Sequence, residues 1–506
     1  MIDFTPQRIK EVSGAALLAG GPGRVGPRDA PKRATIDSRD VQPGDLFIGI
    51  RGEHADGGEF ADQAAAAGAW GILARPEHAL RLAGSAGGRI RVMSTEDPLQ
   101  ALGRLARAWV DRLWAEGCRV IGITGSTGKT STKDILLALL QPSFGDAVRA
   151  SPKNYNTEIG LPLAVLSAEP DTKVLVLEMA MRGPGQIRAL CELAPPEIGV
   201  ITNVGPVHLE LLGTIEAVAE AKAELIAALP PEGTCVVPAA AEALRPHLRS
   251  DVRPLTFANW SAVDEVSEFE SIAGAAADIR VLSAEPALVD GQNGLRADIA
   301  VGAAHAEFEF NFRQAHNVVN ALAALGAGHS LGVSISSMVA GASQVRFSEL
   351  RGDEIELSHD LLVINDCYNA NPVSMRAALD HLAQAAADGQ RPRRVAVLGE
   401  MAELGPDARA YHREIGEYAA QRGVDLLLAV GELGAAYLDG YRDSGEGRSV
   451  ADADEAAAVL LETMRAGDVV LVKGSRRVGL ERLTFRLLQE NSQGALGTEA
   501  KMEGGA

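Results

Sequence analysis

Aromatic residues make up only 4% of this 506-residue sequence, although 46% of it is apolar. The core must therefore come from Ala, Val, Leu and Ile, the composition of helices packed on parallel sheets. Cysteine is scarce. Cys118, Cys191, Cys235 and Cys367 are scattered and never spaced CxxC, which excludes a disulfide framework or zinc ribbon and fits a reducing compartment. Basic residues are outnumbered, 48 against 67, for a net charge of -19. No broad basic field exists to hold nucleic acid or an anionic membrane. No run reaches about 18 uninterrupted apolar residues, the length that crosses a bilayer. The N-terminus MIDFTPQRIKEVSGAALLAGG also lacks a compact apolar segment ahead of a cleavage site. The expectation is a soluble, cytoplasmic, monomeric chain of several domains.

What is present has a clear rhythm. Short strand-like runs (DLFIGI, WGILA, RIRVM) and an Ala-rich helix occupy residues 1–97, the expected smaller N-terminal α/β domain. Residues 98–343 alternate strands such as VLVLEM and IGVITNV with helices such as IEAVAEAKAELIAAL. That is the pattern of a doubly wound parallel sheet of phosphate-loop type. Within it, residues 258–312 read as a less regular inserted or edge β-region. LLVIND, RRVAVLG, DLLLAVG and DVVLVKG repeat the rhythm in 344–490, the expected C-terminal Rossmann-like α/β domain. The tail, 491–506, has too little apolar content to pack and is expected to be disordered.

GITGSTGKTSTKD, residues 122–134, joins an apolar strand to a helix. Such a turn aims backbone N–H groups and a helix N-terminus at one point, the chemistry of a phosphate cradle. Lys129 would reach the terminal phosphates and Thr130 would present a hydroxyl to Mg²⁺. The glycine spacing is shorter than G-x-x-x-x-G-K-[ST], because Ile123 stands where the first Gly belongs. Glu178 ends one strand and His208 follows another, so both should reach the carboxyl edge of the sheet, where ligands bind. A carboxylate and an imidazole beside phosphate oxygens suit Mg²⁺. Lys222, by pattern alone, reads as a solvent-facing helix lysine paired with Glu220 or Glu224. NDCYNANPVSM runs a strand into Asp, Tyr, two Asn and a Pro before a helix. Pro372 holds its predecessor extended. Asn369 and Asn371 offer amide groups to a peptide-like ligand, or serve as turn residues.

The set GSTGKTS, NYNTEIGLPL, LEMAMRGPGQI, TNVGPVHLELLGTIEAVAEAKAEL, HNVVNALAAL, NDCYNANPVSM, VLGEMAELG and LVKGSRRVGLE resembles the Mur ligases in order and spacing, over nearly the whole chain. Within that family, DxYNANPxSM with GxMxELG is similar to the branch that joins D-alanyl-D-alanine to UDP-N-acetylmuramoyl-tripeptide. The resemblance implies three domains, for UDP-sugar, ATP and dipeptide in that order. It implies an ATP-dependent acid–amino-acid ligase of peptidoglycan precursor synthesis that works through an acyl phosphate. By the same matching, Gly125, Ser126, Thr127, Gly128, Lys129, Thr130 and Ser131 hold the ATP phosphates, and Asn317 and Asn320 lie on the adenine side. Thr130, Glu178 and His208 become Mg²⁺ ligands. Lys222 matches the family lysine that becomes carbamylated, against its bland reading. Arg346 matches the inter-domain arginine that reaches the γ-phosphate. Asp366, Tyr368, Asn369, Asn371, Lys473 and Ser475 match positions near nucleotide or dipeptide. Ser38 and Arg39 are candidates for the uridine nucleotide, and Asn156 and Thr157 count with the substrate. Thr157, Val345 and EHADGGEF depart from the common family pattern. The competing readings are a sibling ligase such as folylpolyglutamate synthase, and an ATP-binding homologue without turnover.

Overall fold

A computed structural model describes residues 4–20, 29–85, 90–152, 154–258, 276–388, 391, 393–442 and 444–493. The chain builds three sheets, each mainly parallel. The first has five strands in the order Ala16–Gly20, Arg91–Ser94, Gly71–Ala74, Leu46–Ile48, Ala34–Thr35, with only Ala16–Gly20 running antiparallel to its neighbour. The third has six, in the order Asp353–Leu357, Leu361–Asn365, Asp468–Lys473, Arg393–Gly399, Leu426–Val430, Glu446–Val450, again with one antiparallel edge.

The central sheet has nine strands. Its middle pairs Arg119–Thr124 with Val174–Glu178 on one side and Ile198–Ile201 on the other, all parallel. Alternation explains why it is wrapped on both faces. Leu175 and Leu177 join one apolar cluster with helices Pro98–Ala115 and Ile215–Ala228. Val174 and Val176 join another with helices Lys129–Phe144 and Ala315–Ser330. The first of these clusters also takes in Leu46, Ile48, Leu73 and Met93, so the N-terminal sheet packs onto the same helices.

The expected irregular region is more orderly than its sequence suggested. Its described part holds three long antiparallel strands, Ile279–Val289, Gln292–Val301 and Ala304–Phe310, that extend the sheet edge. Residues 259–275 lie outside the described residues. Of the tail, the last helix runs to Ser492, slightly past the expected boundary, and residues 494–506 lie outside the described residues. No described helix is long and apolar enough to cross a membrane.

Candidate active site

The phosphate loop leaves strand Arg119–Thr124 and enters helix Lys129–Phe144. Both of its glycines are sterically required. Gly125 has φ +150, and a Cβ there would lie 1.9 Å from Thr202 Oγ1. Gly128 has φ +77 and caps the helix, and its Cβ would lie 2.2 Å from Asn320 Oδ1. The loop is braced from the next strand's end. Asn203 Oδ1 accepts from the Thr127 N–H at 2.9 Å, and the Ser126 hydroxyl donates to the Gly205 carbonyl at 3.1 Å. Lys129 Nζ folds back onto the Gly125 carbonyl at 2.8 Å. Burial lowers the pKa of Lys129, opposed by the Glu178 carboxylate and reinforced by Arg351.

Glu178 is 1% exposed at the end of its strand. It accepts from the Thr130 hydroxyl at 2.9 Å and from the Asn156 amide at 2.7 Å. This buried carboxylate and hydroxyl form a hard oxygen donor set of the kind Mg²⁺ prefers. His208 lines the same cavity. Burial holds its pKa low; Glu403 opposes that shift, and Lys222 and Lys129 add to it. Lys222 corrects its pattern-based reading, because it is 2% exposed rather than solvent-facing. Burial, then the ammonium of Lys129, keeps its own pKa well below the ordinary lysine range.

The third sheet faces this edge with the ends of two of its strands. A cavity of about 760 Å³ is lined both by Ser126–Ser131 and by Asp366, Tyr368, Asn369, Asn371 and Lys473. Thr157 and Asn320 also line it, while Asn317 lines an adjoining cavity with Asp366. Lys473, 1% exposed, pairs with Asp366 at 2.7 Å and donates to the Asn369 carbonyl at 3.0 Å, which fixes the turn. Both asparagines serve that turn as well. Asn369 Oδ1 accepts from the Ala370 N–H at 2.8 Å, and Asn371 Oδ1 accepts from the Ser374 N–H at 3.0 Å. Ser475 lines a second cavity and accepts from the Ala402 N–H at 2.8 Å. Cys367 is packed at 1% exposure.

Arg346 differs from expectation. It is exposed and lines none of these cavities. Arg351 stands there instead. Its guanidinium donates to Thr130 Oγ1 at 3.1 Å and lies 3.9 Å over the Tyr368 ring. Nothing local marks Arg351 in LRGDE, which reads as a surface turn. Glu403 and Arg182, also missed, enter the second cavity with His208. Ser38 and Arg39 are not brought here. Ser38 donates to Gln63 Oε1 at 3.1 Å beside the first sheet, and Arg39 pairs with Asp37 at 2.7 Å, holding that carboxyl down at about 2.

Family models for the Mur ligase catalytic, middle and glutamate ligase domains match residues 32–109, 123–328 and 350–476. A UDP-N-acetylmuramoyl-tripeptide–D-alanyl-D-alanine ligase from Mycobacterium tuberculosis is 37% identical over 98% of this chain and 100% of its own length. The enzyme of that name from Bacillus subtilis is 31% identical over 90% of this chain and 92% of its own. Among solved structures, MurF from Acinetobacter baumannii superposes with a TM-score of 0.79 at 25% identity, covering 96% of this chain and 99% of that one. MurF ligase from Thermotoga maritima in complex with ADP gives 0.74 at 28%, covering 92% and 98%.

Proposed function

This chain belongs to the Mur ligase family, and we propose that it joins D-alanyl-D-alanine to UDP-N-acetylmuramoyl-tripeptide at the expense of ATP. ADP, phosphate and the pentapeptide precursor of peptidoglycan are the products. The observation that carries this reading is the cavity of about 760 Å³ lined by both the phosphate loop and the Tyr368–Asn371 turn. An acyl phosphate made at one wall meets an amine held at the other without leaving the site.

The tripeptide's terminal carboxylate attacks the γ-phosphate of ATP, giving an acyl phosphate and ADP. The α-amine of D-alanyl-D-alanine then attacks the acyl carbon, and phosphate departs from the tetrahedral intermediate. Two anions must approach for the first step, so the site has to cancel their repulsion. Lys129 and the backbone of Gly125–Ser131 hold the phosphates, and Asn317 and Asn320 hold the nucleoside side. Thr130, Glu178 and His208 are the residues to hold Mg²⁺, with Lys222 as its carbamate. Mg²⁺ when bound supplies charge neutralisation between phosphate and carboxylate. The buried, low-pKa amine of Lys222 supports carbamylation, since only the neutral amine adds CO₂. Arg346 is the family's candidate for the γ-phosphate, whereas Arg351 stands beside Thr130. Asp366 and Lys473 keep the Tyr368–Asn371 turn in place, and Ser475 lies at the dipeptide end. Ser38 and Arg39 take the uridine nucleotide, and Asn156 and Thr157 lie on the substrate side. Residues 1–97, 98–343 and 344–490 divide the three binding tasks, in a cytoplasmic monomer.

The test is ATP-dependent phosphate release with UDP-N-acetylmuramoyl-tripeptide while the second substrate is varied. Release with D-alanyl-D-alanine, but not with L-Ala, D-Glu or diaminopimelate, is expected. Release with a single amino acid assigns the chain to a sibling reaction, and ATP binding without any release favours an inactive homologue.

A further inference from the structure

The turn GEMAELG after strand Arg393–Gly399 has no part in the reaction as described so far. Its base is anchored to its own sheet: the Met401 N–H donates to His412 Nε2 at 3.0 Å and the Ala402 N–H to Ser475 Oγ at 2.8 Å. Its tip crosses to the central sheet. There the Glu403 carbonyl accepts from the Glu210 N–H at 3.3 Å, and a Cβ on Gly405 would lie 3.2 Å from Glu210 Cα. Glu403 has φ +62 and His208 has φ +54. Left-handed backbone costs an L residue about 1–2 kcal/mol, so two such residues face to face mark a contact the fold sustains against strain. Their side chains meet: the Glu403 carboxylate is hydrogen-bonded to His208 Nδ1, across 195 positions of sequence. Arg182 Nε lies 3.7 Å from the other carboxylate oxygen.

The hydrogen bond engages Nδ1, so Nε2 is the ring nitrogen outside it, and His208 lines both cavities. We propose that Glu403 is a positioning residue, which holds His208 in the Nδ1–H tautomer and so readies Nε2 for a divalent cation. Carboxylates behind histidine ligands act in this way in metal sites generally. Here the carboxylate rides on a different sheet from the histidine, so His208 is ready for metal only while the third sheet is docked on the central one. The inference rests on His208 being a metal ligand, as read above.

Two variants test it. Glu403→Gly removes the carboxylate and suits φ +62, so the substitution adds no backbone strain. Glu403→Gln keeps an acceptor without charge. In metal-free enzyme with ¹⁵N-labelled histidine, the His208 signal, identified by its loss in His208→Ala, should report Nδ1–H in the wild type and move toward Nε2–H in Glu403→Gly. Mn²⁺ binding in the presence of ADP, followed by electron paramagnetic resonance, should weaken about 10- to 100-fold in Glu403→Gly and less in Glu403→Gln. Glu403→Gly should add nothing in a His208→Ala background. An unchanged tautomer and unchanged Mn²⁺ affinity in Glu403→Gly overturns the proposal, as does an equal loss in the His208→Ala background. A shifted tautomer in a protein that never releases phosphate with D-alanyl-D-alanine sinks the ligase reading and leaves this one standing.

Discussion

Replacing Gly128 by alanine separates two physical demands on the phosphate loop, because the chain contains a matched control. Gly128 (φ +77, ψ -5) caps helix Lys129–Phe144, and Gly185 (φ +82, ψ -15) caps helix Gln186–Leu193. An L residue in that backbone region costs about 1–2 kcal/mol at either site. At Gly185 a new methyl meets nothing within 4 Å, so Gly185→Ala should show that cost alone. At Gly128 the methyl would sit 2.2 Å from Asn320 Oδ1, on a side chain only 7% exposed and carried by the rigid helix Ala315–Ser330. Asn320 must swing off Asn317, now 3.4 Å away, and bury an unpaired amide, which adds about 1–3 kcal/mol. Gly128→Ala should therefore cost about 2–5 kcal/mol by the sum of these effects. Urea unfolding, compared at the same transition because a chain of three sheets need not unfold in one step, reads the stability difference. Calorimetric ADP binding reads the functional one. Gly128→Ala should lose about tenfold or more, each tenfold being about 1.4 kcal/mol, while Gly185→Ala loses none. Equal stability losses with unchanged ADP affinity in both would refute the coupling of Asn320 to the loop.

Lys222→Ala should abolish turnover, with bicarbonate or short carboxylates restoring part of it; full activity in the variant removes the carbamate from the mechanism. In CO₂-free buffer, the lowered pKa of Lys222 means that the unfolded chain binds more protons than the folded one between the folded pKa and about 10.4. Stability should thus rise with pH across that window by at most about 1.4 kcal/mol per unit from this group, and Lys222→Met should flatten the rise. Arg351→Ala should lower the rate of phosphoryl transfer about 100-fold or more and weaken a non-hydrolysable ATP analogue more than ADP. The same losses in Arg346→Ala, with Arg351→Ala silent, would return the role to Arg346. Burial pushes the thiols of Cys118, Cys191 and Cys367 up to about 12 and that of Cys235 to about 11. The native protein should resist alkylation at pH 8 and take up four equivalents once unfolded; rapid native labelling at any of them contradicts the packing.

Legibility followed range. Gly125 and Gly128 were readable because a strand, a tight turn and a helix start leave their mark within a few residues. Glu178 was readable because a strand end lies at the sheet edge wherever the strand goes. Lys222 was misread from pattern, because its helix is covered on the side that the sequence leaves open, and only the family resemblance promoted it. Asn369 and Asn371 were offered two roles by the sequence, and the structure gives their side-chain carbonyls to the turn and helix cap. Arg351 left no local trace, and Glu403 stood within GxMxELG without a role, since each matters through a partner more than 190 positions away.

By itself the sequence determined the strand, glycine turn and helix around residues 119–144, the alternation of strand and helix, and the order of the three sheets along the chain. These are set by φ preferences, hydrophobic period and the short connections of parallel sheets, all of which act between near neighbours. Only the tertiary structure decided which arginine stands at Thr130, what holds His208, and that Lys222 is buried. Those depend on how the third sheet lies against the carboxyl edge of the central one, a contact between surfaces distant in sequence.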